Sequence, residues 1–182
     1  MRTIHHTPSK TYLLYYNNKD MVCFFDDACY DYFLARLFNS LQQFHVELHA
    51  YCLTSTEVFL LVTPGTPSGI HNLWKSVVGQ YNSYFSGRFD RTRRIIGGAY
   101  TTKWIGAGEN ALEAQKYIER VPLTKPGVDH PGMHPWSSYS SNGFGNASHW
   151  LTPHRDYQQF LHAGNYSYGR YREFIATPAE IC

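Results

Sequence analysis

A chain of 182 residues is long enough for one domain with a proper core, and its net charge of +2 is too small to argue for a nucleic-acid partner by itself. The 43% of hydrophobic residues excludes a disordered composition, and no apolar run approaches the roughly 20 residues of a membrane-spanning helix. Cys23, Cys29, Cys52 and Cys182 form neither a CxxC pair nor a small disulfide framework, and the polar start from Met1 to Lys10 does not resemble a signal peptide, so a reducing cytoplasm is the expected home.

Aromatic residues are abundant, with 15 Tyr and 11 Phe, which suits thick core packing more readily than rings kept for stacking on bases. Residues 11–16 (TYLLYY) read as a strand running into the Asn17-Asn18 turn. Asp26 and Asp27 then stand where a carboxylate caps a helix, and Tyr30, Phe33, Leu34, Leu37, Phe38 and Leu41 follow at helical spacing. Residues 44–53 and 58–62 read as two strands joined by Thr54-Ser55-Thr56, a connection so short that it implies an antiparallel hairpin.

Beyond Pro64-Gly65 a second helix is expected, with Ile70, Leu73, Trp74, Val77, Tyr81, Tyr84 and Phe85 on one face and Gly87 as its stop. Residues 94–105 are Gly-interrupted and extended, and residues 109–121 form a third helix with Ala111, Ala114, Ile118 and Val121 inward. This order predicts an α+β fold, a ferredoxin-like antiparallel sheet with helices packed on one face. Residues 1–126 make up that unit. Residues 127–182 form an irregular extension wrapping the same domain, with a short helix near residues 156–162.

Between residues 88 and 103, Arg88, Arg91, Arg93, Arg94 and Lys103 stand against one acid, Asp90. Such a cluster is ordinarily a solvated loop, and becomes a phosphate-binding candidate beside a DNA site. Glu57 in a sheet position needs a partner, water or a metal, because burying a bare carboxylate is costly.

Three segments read together carry a resemblance. Residues 49–62 (HAYCLTSTEVFLLV) are similar to the stretch HAYVMPNHVHLLV, and residues 79–85 (GQYNSYF) to a helix bearing a nucleophilic tyrosine. Residues 117–122 (YIERVP) with 134–139 (HPWSSY) are similar to the tail YIxxNP…YPWSSY. In this order they resemble the REP-associated tyrosine transposases, single-domain members of the HUH endonuclease superfamily. The resemblance covers roughly residues 10 to 140.

That family holds a divalent cation on two histidines one residue apart in a strand, which therefore share a face, and its tyrosine attacks the scissile phosphate to form a phosphotyrosyl intermediate. Carried over residue by residue, the first histidine is Glu57, the second is Phe59, the third ligand is Ser86 and the Asn of the tail motif is Val121. The stretch that reads RTGTLWEGR in many relatives is residues 91–99 here (RTRRIIGGA), with its arginines displaced. Tyr81 alone remains from the catalytic set. It also falls on the apolar face of its helix, as a core tyrosine does.

His49 supplies a substitute ligand only if the hairpin places residue 51 opposite 57; if it places 52 there, Ala50 faces Phe59 and His49 points away. His130 and His134 are a weak zinc signal. The resemblance thus implies a transposase-family protein that binds single-stranded or hairpin DNA through Arg88, Arg91, Arg93, Arg94 and Lys103, its strand cleavage by Tyr81 lost or impaired and no cofactor expected. The alternatives are a live transposase using Tyr81 with Mg²⁺ or Mn²⁺, and a fold reused as a protein-interaction module. No membrane partner is expected, and a homodimer is compatible with the sequence.

Overall fold

The structure is a computed structural model and describes residues 4–19, 21–90, 94–106, 109–146 and 148–177. Strand β1 (Tyr12–Asn17) alternates buried and half-buried side chains, as a strand packed on both faces does. Asp26 caps helix α1 (Asp27–Leu41) by accepting the Cys29 N–H at 3.1 Å, and the helix buries Tyr30, Phe33, Leu34, Leu37 and Leu41. Strands β2 (Val46–Leu53) and β3 (Glu57–Pro64) form the expected hairpin.

Helix α2 (Gly69–Phe89) does not stop at Gly87. It runs two residues further, to Phe89, and is capped by Asp90, whose left-handed backbone (φ 48°) returns its N–H to the Ser86 carbonyl. Aspartate tolerates that conformation because its short side chain bonds locally. Strand β4 is shorter than the extended stretch expected, Thr101–Trp104, and Asn110 caps helix α3 (Ala111–Arg120), which tightens into a 3-10 turn at Val121–Thr124.

The sheet is antiparallel throughout, in the order β2-β3-β1-β4, the ferredoxin-like arrangement expected from the order of elements. Period-two alternation gives it two unlike faces. Val58, Leu60 and Val62 of β3 and Leu14 and Tyr16 of β1 join the large core under α1 and α2, with Phe33, Trp74, Val77, Tyr81 and Phe85. Phe59 and Leu61, with Ala50 and Cys52 of β2, join a second core under α3, made by Ala111, Ile118 and Val121. The two long helices thus share one face, but α3 covers the other, so the expectation of helices on one face holds for α1 and α2 and is corrected for α3, whose Ala111 and Ile118 meet Phe59 and Leu61.

The C-terminal part is more helical than the sequence suggests. Helices α4 (Tyr139–Asn142), α5 (Arg155–Ala163) and α6 (Tyr168–Ala176) pack on α3 through Leu112, Tyr139, Tyr157, Leu161, Tyr171 and Ile175. A wholly buried carboxylate ties them together. Glu119 of α3 accepts from Ser138 Oγ at 2.7 Å, Asn142 Nδ2 at 2.7 Å and Tyr171 Oη at 2.8 Å. Burial raises its pKa to about 7, and these three hydrogen bonds limit the rise. Among the described residues, no helix is long and apolar enough to cross a membrane.

Candidate functional site

Glu57 opens β3 at the hairpin mouth and points to the α3 side of the sheet, as its parity with Phe59 requires. Its Oε1 accepts from Tyr15 Oη at 3.2 Å and from Asn17 Nδ2 at 3.4 Å. Its Oε2 accepts from Thr54 Oγ1 at 3.1 Å and from Lys125 Nζ at 2.7 Å. Burial on its own would raise the Glu57 pKa, but the Lys125 ammonium, with Thr54 and Tyr15, holds it below the ordinary glutamate value.

Phe59 lies one strand position inward from that pair and is 4% exposed. Its ring packs at 4.7 Å from the Tyr15 ring and 5.9 Å from the Tyr117 ring of α3, and it fills the space with hydrocarbon. This donor set does not suit a divalent cation. One carboxylate already satisfied by an ammonium stands beside a phenyl ring, whereas hard cations take several oxygen or nitrogen donors.

Tyr81 stands on the other side of the sheet. Its side chain is fully buried among Phe24, Phe33 and Phe85, and its hydroxyl donates to the Cys23 carbonyl at 2.6 Å. Burial pushes the phenol well above its ordinary pKa. Ser86 follows on the same helix, on the Tyr81 side. The structure therefore brings Glu57 and Phe59 together and leaves Tyr81 and Ser86 across the strand layer.

The hairpin register is neither of the two expected. Cys52 pairs with Phe59 and Leu53 with Val58, and a bulge between Leu48 and Ala50 leaves His49 as the extra residue. His49 is buried and faces away from the hairpin mouth. Its Nδ1 meets the Thr152 carbonyl at 2.7 Å and its Nε2 the Thr63 hydroxyl at 2.8 Å, and burial lowers its pKa to about 4. His130 and His134 do not converge on a shared ligand. His130 Nδ1 accepts the Gly132 N–H at 3.1 Å, and His134 Nε2 bonds the Leu53 carbonyl.

Of the basic residues singled out, Arg91 and Arg93 lie outside the described residues. Arg88 grips both oxygens of Asp26, at 3.1 and 2.7 Å, and so fastens the end of α2 to the cap of α1. Lys103 pairs with Glu109 at 2.7 Å while keeping 59% of its side chain exposed, and Arg94 is exposed. Lys125 is the residue that the sequence reading missed. The need of Glu57 for a cation was the signal, but a lysine 68 positions away announces itself by no spacing rule.

No protein-family model matches the chain, and no curated protein does. Among solved structures, the fold is similar to that of a REP-associated tyrosine transposase bound to a REP hairpin. The TM-score is 0.64, over 85% of this chain and 91% of that one, at 13% sequence identity. A likeness at that identity speaks for the fold alone.

Proposed function

We propose that this chain binds hairpin or single-stranded DNA on a transposase-like fold and does not cut it through Tyr81. The observation that carries the second half is the position of the sheet, which stands between the Tyr81 hydroxyl and the Glu57–Phe59 position. Phosphotyrosyl chemistry needs a phenol that can lose its proton in line with a phosphorus atom, beside a charge that stabilises the developing oxyanion. Tyr81 donates instead to a backbone carbonyl, inside an aromatic core. Across the sheet, the cation paired with Glu57 at the hairpin mouth is the Lys125 ammonium.

Binding asks for less. Lys and Arg contacts to phosphates supply most of the affinity, and they need no metal. The solved neighbour of this fold is described as holding a REP hairpin, which supports a hairpin as the ligand class here. Lys103 and Arg94 have the exposure that phosphate contact requires; Arg91 and Arg93 complete the proposed set, and Arg88 joins it at the edge of its ion pair with Asp26.

The test is a gel shift on hairpin oligonucleotides at two salt concentrations, run beside a denaturing gel of a 5′-labelled hairpin incubated with Mg²⁺ or Mn²⁺. Salt-sensitive binding with no covalent adduct is expected. Absence of salt-sensitive binding sinks the DNA reading, and an adduct lost in Tyr81→Phe overturns the claim about cleavage.

A further inference from the structure

A chain of hydrogen bonds joins His49, the extra residue of the β2 bulge, to the start of α5. His49 Nδ1 meets the Thr152 carbonyl at 2.7 Å, and its Nε2 meets the Thr63 hydroxyl at 2.8 Å. Thr63 meets the Thr11 hydroxyl at 2.9 Å, and Thr11 meets His154 Nε2 at 3.1 Å. At the far end His154 caps α5, its Nδ1 accepting the Asp156 N–H at 3.1 Å. The two imidazole rings stand 4.9 Å apart, edge to face.

The ends of this chain fix where its hydrogens lie. A carbonyl only accepts, so His49 carries its hydrogen on Nδ1; burial keeps the ring neutral, and its Nε2 accepts from Thr63. A backbone N–H only donates, so His154 has no hydrogen on Nδ1 and carries it on Nε2, which donates to Thr11. Thr11 then donates to Thr63, and each link has one hydrogen. Because Nε2 of His154 is already protonated, a further proton on that ring can go only to Nδ1, the atom that caps the helix.

The charged and titratable groups around His154 are Arg155 and Asp156 of its own helix and Glu47 and His49 of β2, while β1 and β3 offer only the hydroxyls of Thr11 and Thr63. Burial, with Arg155, lowers the His154 pKa against the pull of Asp156 and Glu47, so the proton arrives in mild acid, below the ordinary histidine value. An Nδ1–H then faces the Asp156 N–H, two donors with no acceptor between them. Asp156 Oδ2, 3.7 Å from Nδ1, is an acceptor within reach, and it is the oxygen that takes the Ala111 N–H at the start of α3 at 3.0 Å. We propose that His154 is an acid-sensitive latch on the C-terminal helices: one proton on Nδ1 removes the cap of α5 and draws the Asp156 carboxylate away from α3. The latch is independent of the DNA-binding reading.

Hydrogen exchange read by mass spectrometry over α5 tests it, with α1 as the internal reference. Between pH ~7.5 and pH ~5, after correction for intrinsic exchange, α5 protection is expected to fall about fivefold, the worth of one helix cap, while α1 holds its own. His154→Asn caps a helix without titrating, so its α5 should be equally protected at both pH values. Wild-type protection that does not change with pH, or a loss that persists in His154→Asn, overturns the latch. The wild type alone gives a second reading. Imidazole ¹⁵N shifts at the higher pH should place the His154 hydrogen on Nε2 and the His49 hydrogen on Nδ1, and a hydrogen on His154 Nδ1 under those conditions overturns the latch as well.

Discussion

Lys125 donates to Glu57 across the mouth of the β2–β3 hairpin at 2.7 Å, and joins the turn after α3 to the first residue of β3. The Glu57 side chain is only 15% exposed, so its charge depends on that ammonium more than a surface pair would. Lys125→Met leaves a half-buried carboxylate without its cation and is expected to cost about 1–2 kcal/mol at neutral pH. Because the Glu57 pKa is lowered in the fold, its stabilising contribution is present above the unfolded carboxylate pKa and is lost as pH falls through the folded one. Urea titrations should therefore separate variant and wild type at neutral pH and bring them together as pH falls through the lowered carboxylate pKa. A gap that persists in acid would count against the pair.

Tyr81→Phe deletes the hydroxyl that satisfies the Cys23 carbonyl inside the core. A stability loss of about 1–2 kcal/mol is expected, since a buried acceptor is left without its donor. Hairpin affinity should not change. Calorimetry and gel shifts on one preparation read both, and a variant with native stability but altered DNA processing would mark Tyr81 as more than a packing residue.

Installing a two-histidine ligand pattern at the hairpin should not confer cleavage. Glu57→His combined with Phe59→His places two imidazoles on one face of β3, while Tyr81 stays beneath the opposite face. A denaturing gel with Mn²⁺ is expected to show no protein–DNA adduct. Phe59→His alone should destabilise by about 2–3 kcal/mol, because it trades a packed ring for a buried imidazole.

Much of this was legible in the chain. The Asp26 cap, the apolar stripe of α1 and the hairpin follow from residue type and period, and these fix the sheet order once short connections are assumed. The register of β2 was not legible: a bulge at His49 adds one residue, which no pattern of alternating side chains announces. Helix α6 escaped notice because its only buried residues are Tyr171 and Ile175, a single i, i+4 pair. The importance of Glu119 was hidden for another reason: its partners Ser138 and Asn142, at the two ends of α4, and Tyr171 of α6 come from two later segments.

Glu119 and His49 should pull the pH profile in opposite directions. Glu119 holds its proton to about pH 7 in the fold, so its ionisation erodes stability as pH rises from the unfolded glutamate value of 4.5. His49 stays neutral down to about pH 4 in the fold, so stability falls as pH drops below the unfolded histidine value of 6.5. Each effect is on the order of 3 kcal/mol, and they nearly cancel between those two ordinary values. The wild type should show a flat profile in denaturant melts across mildly acidic pH. Glu119→Gln should unmask stability rising with pH, and His49→Gln stability falling with it. Flat profiles for both variants would contradict the burial argument.

The Glu119 network also orders events in time. Every residue that donates to this carboxylate is made after it, and the last of them, Tyr171, lies 52 positions downstream. On the ribosome the βαββαβ framework is therefore complete while α3 still carries a charge with no donors and the inner flank of Leu112 faces water. Docking of α6 supplies the Tyr171 donor to Glu119 and covers Leu112. A copy cut short before residue 171 would lack the Tyr171 donor to the buried Glu119 carboxylate.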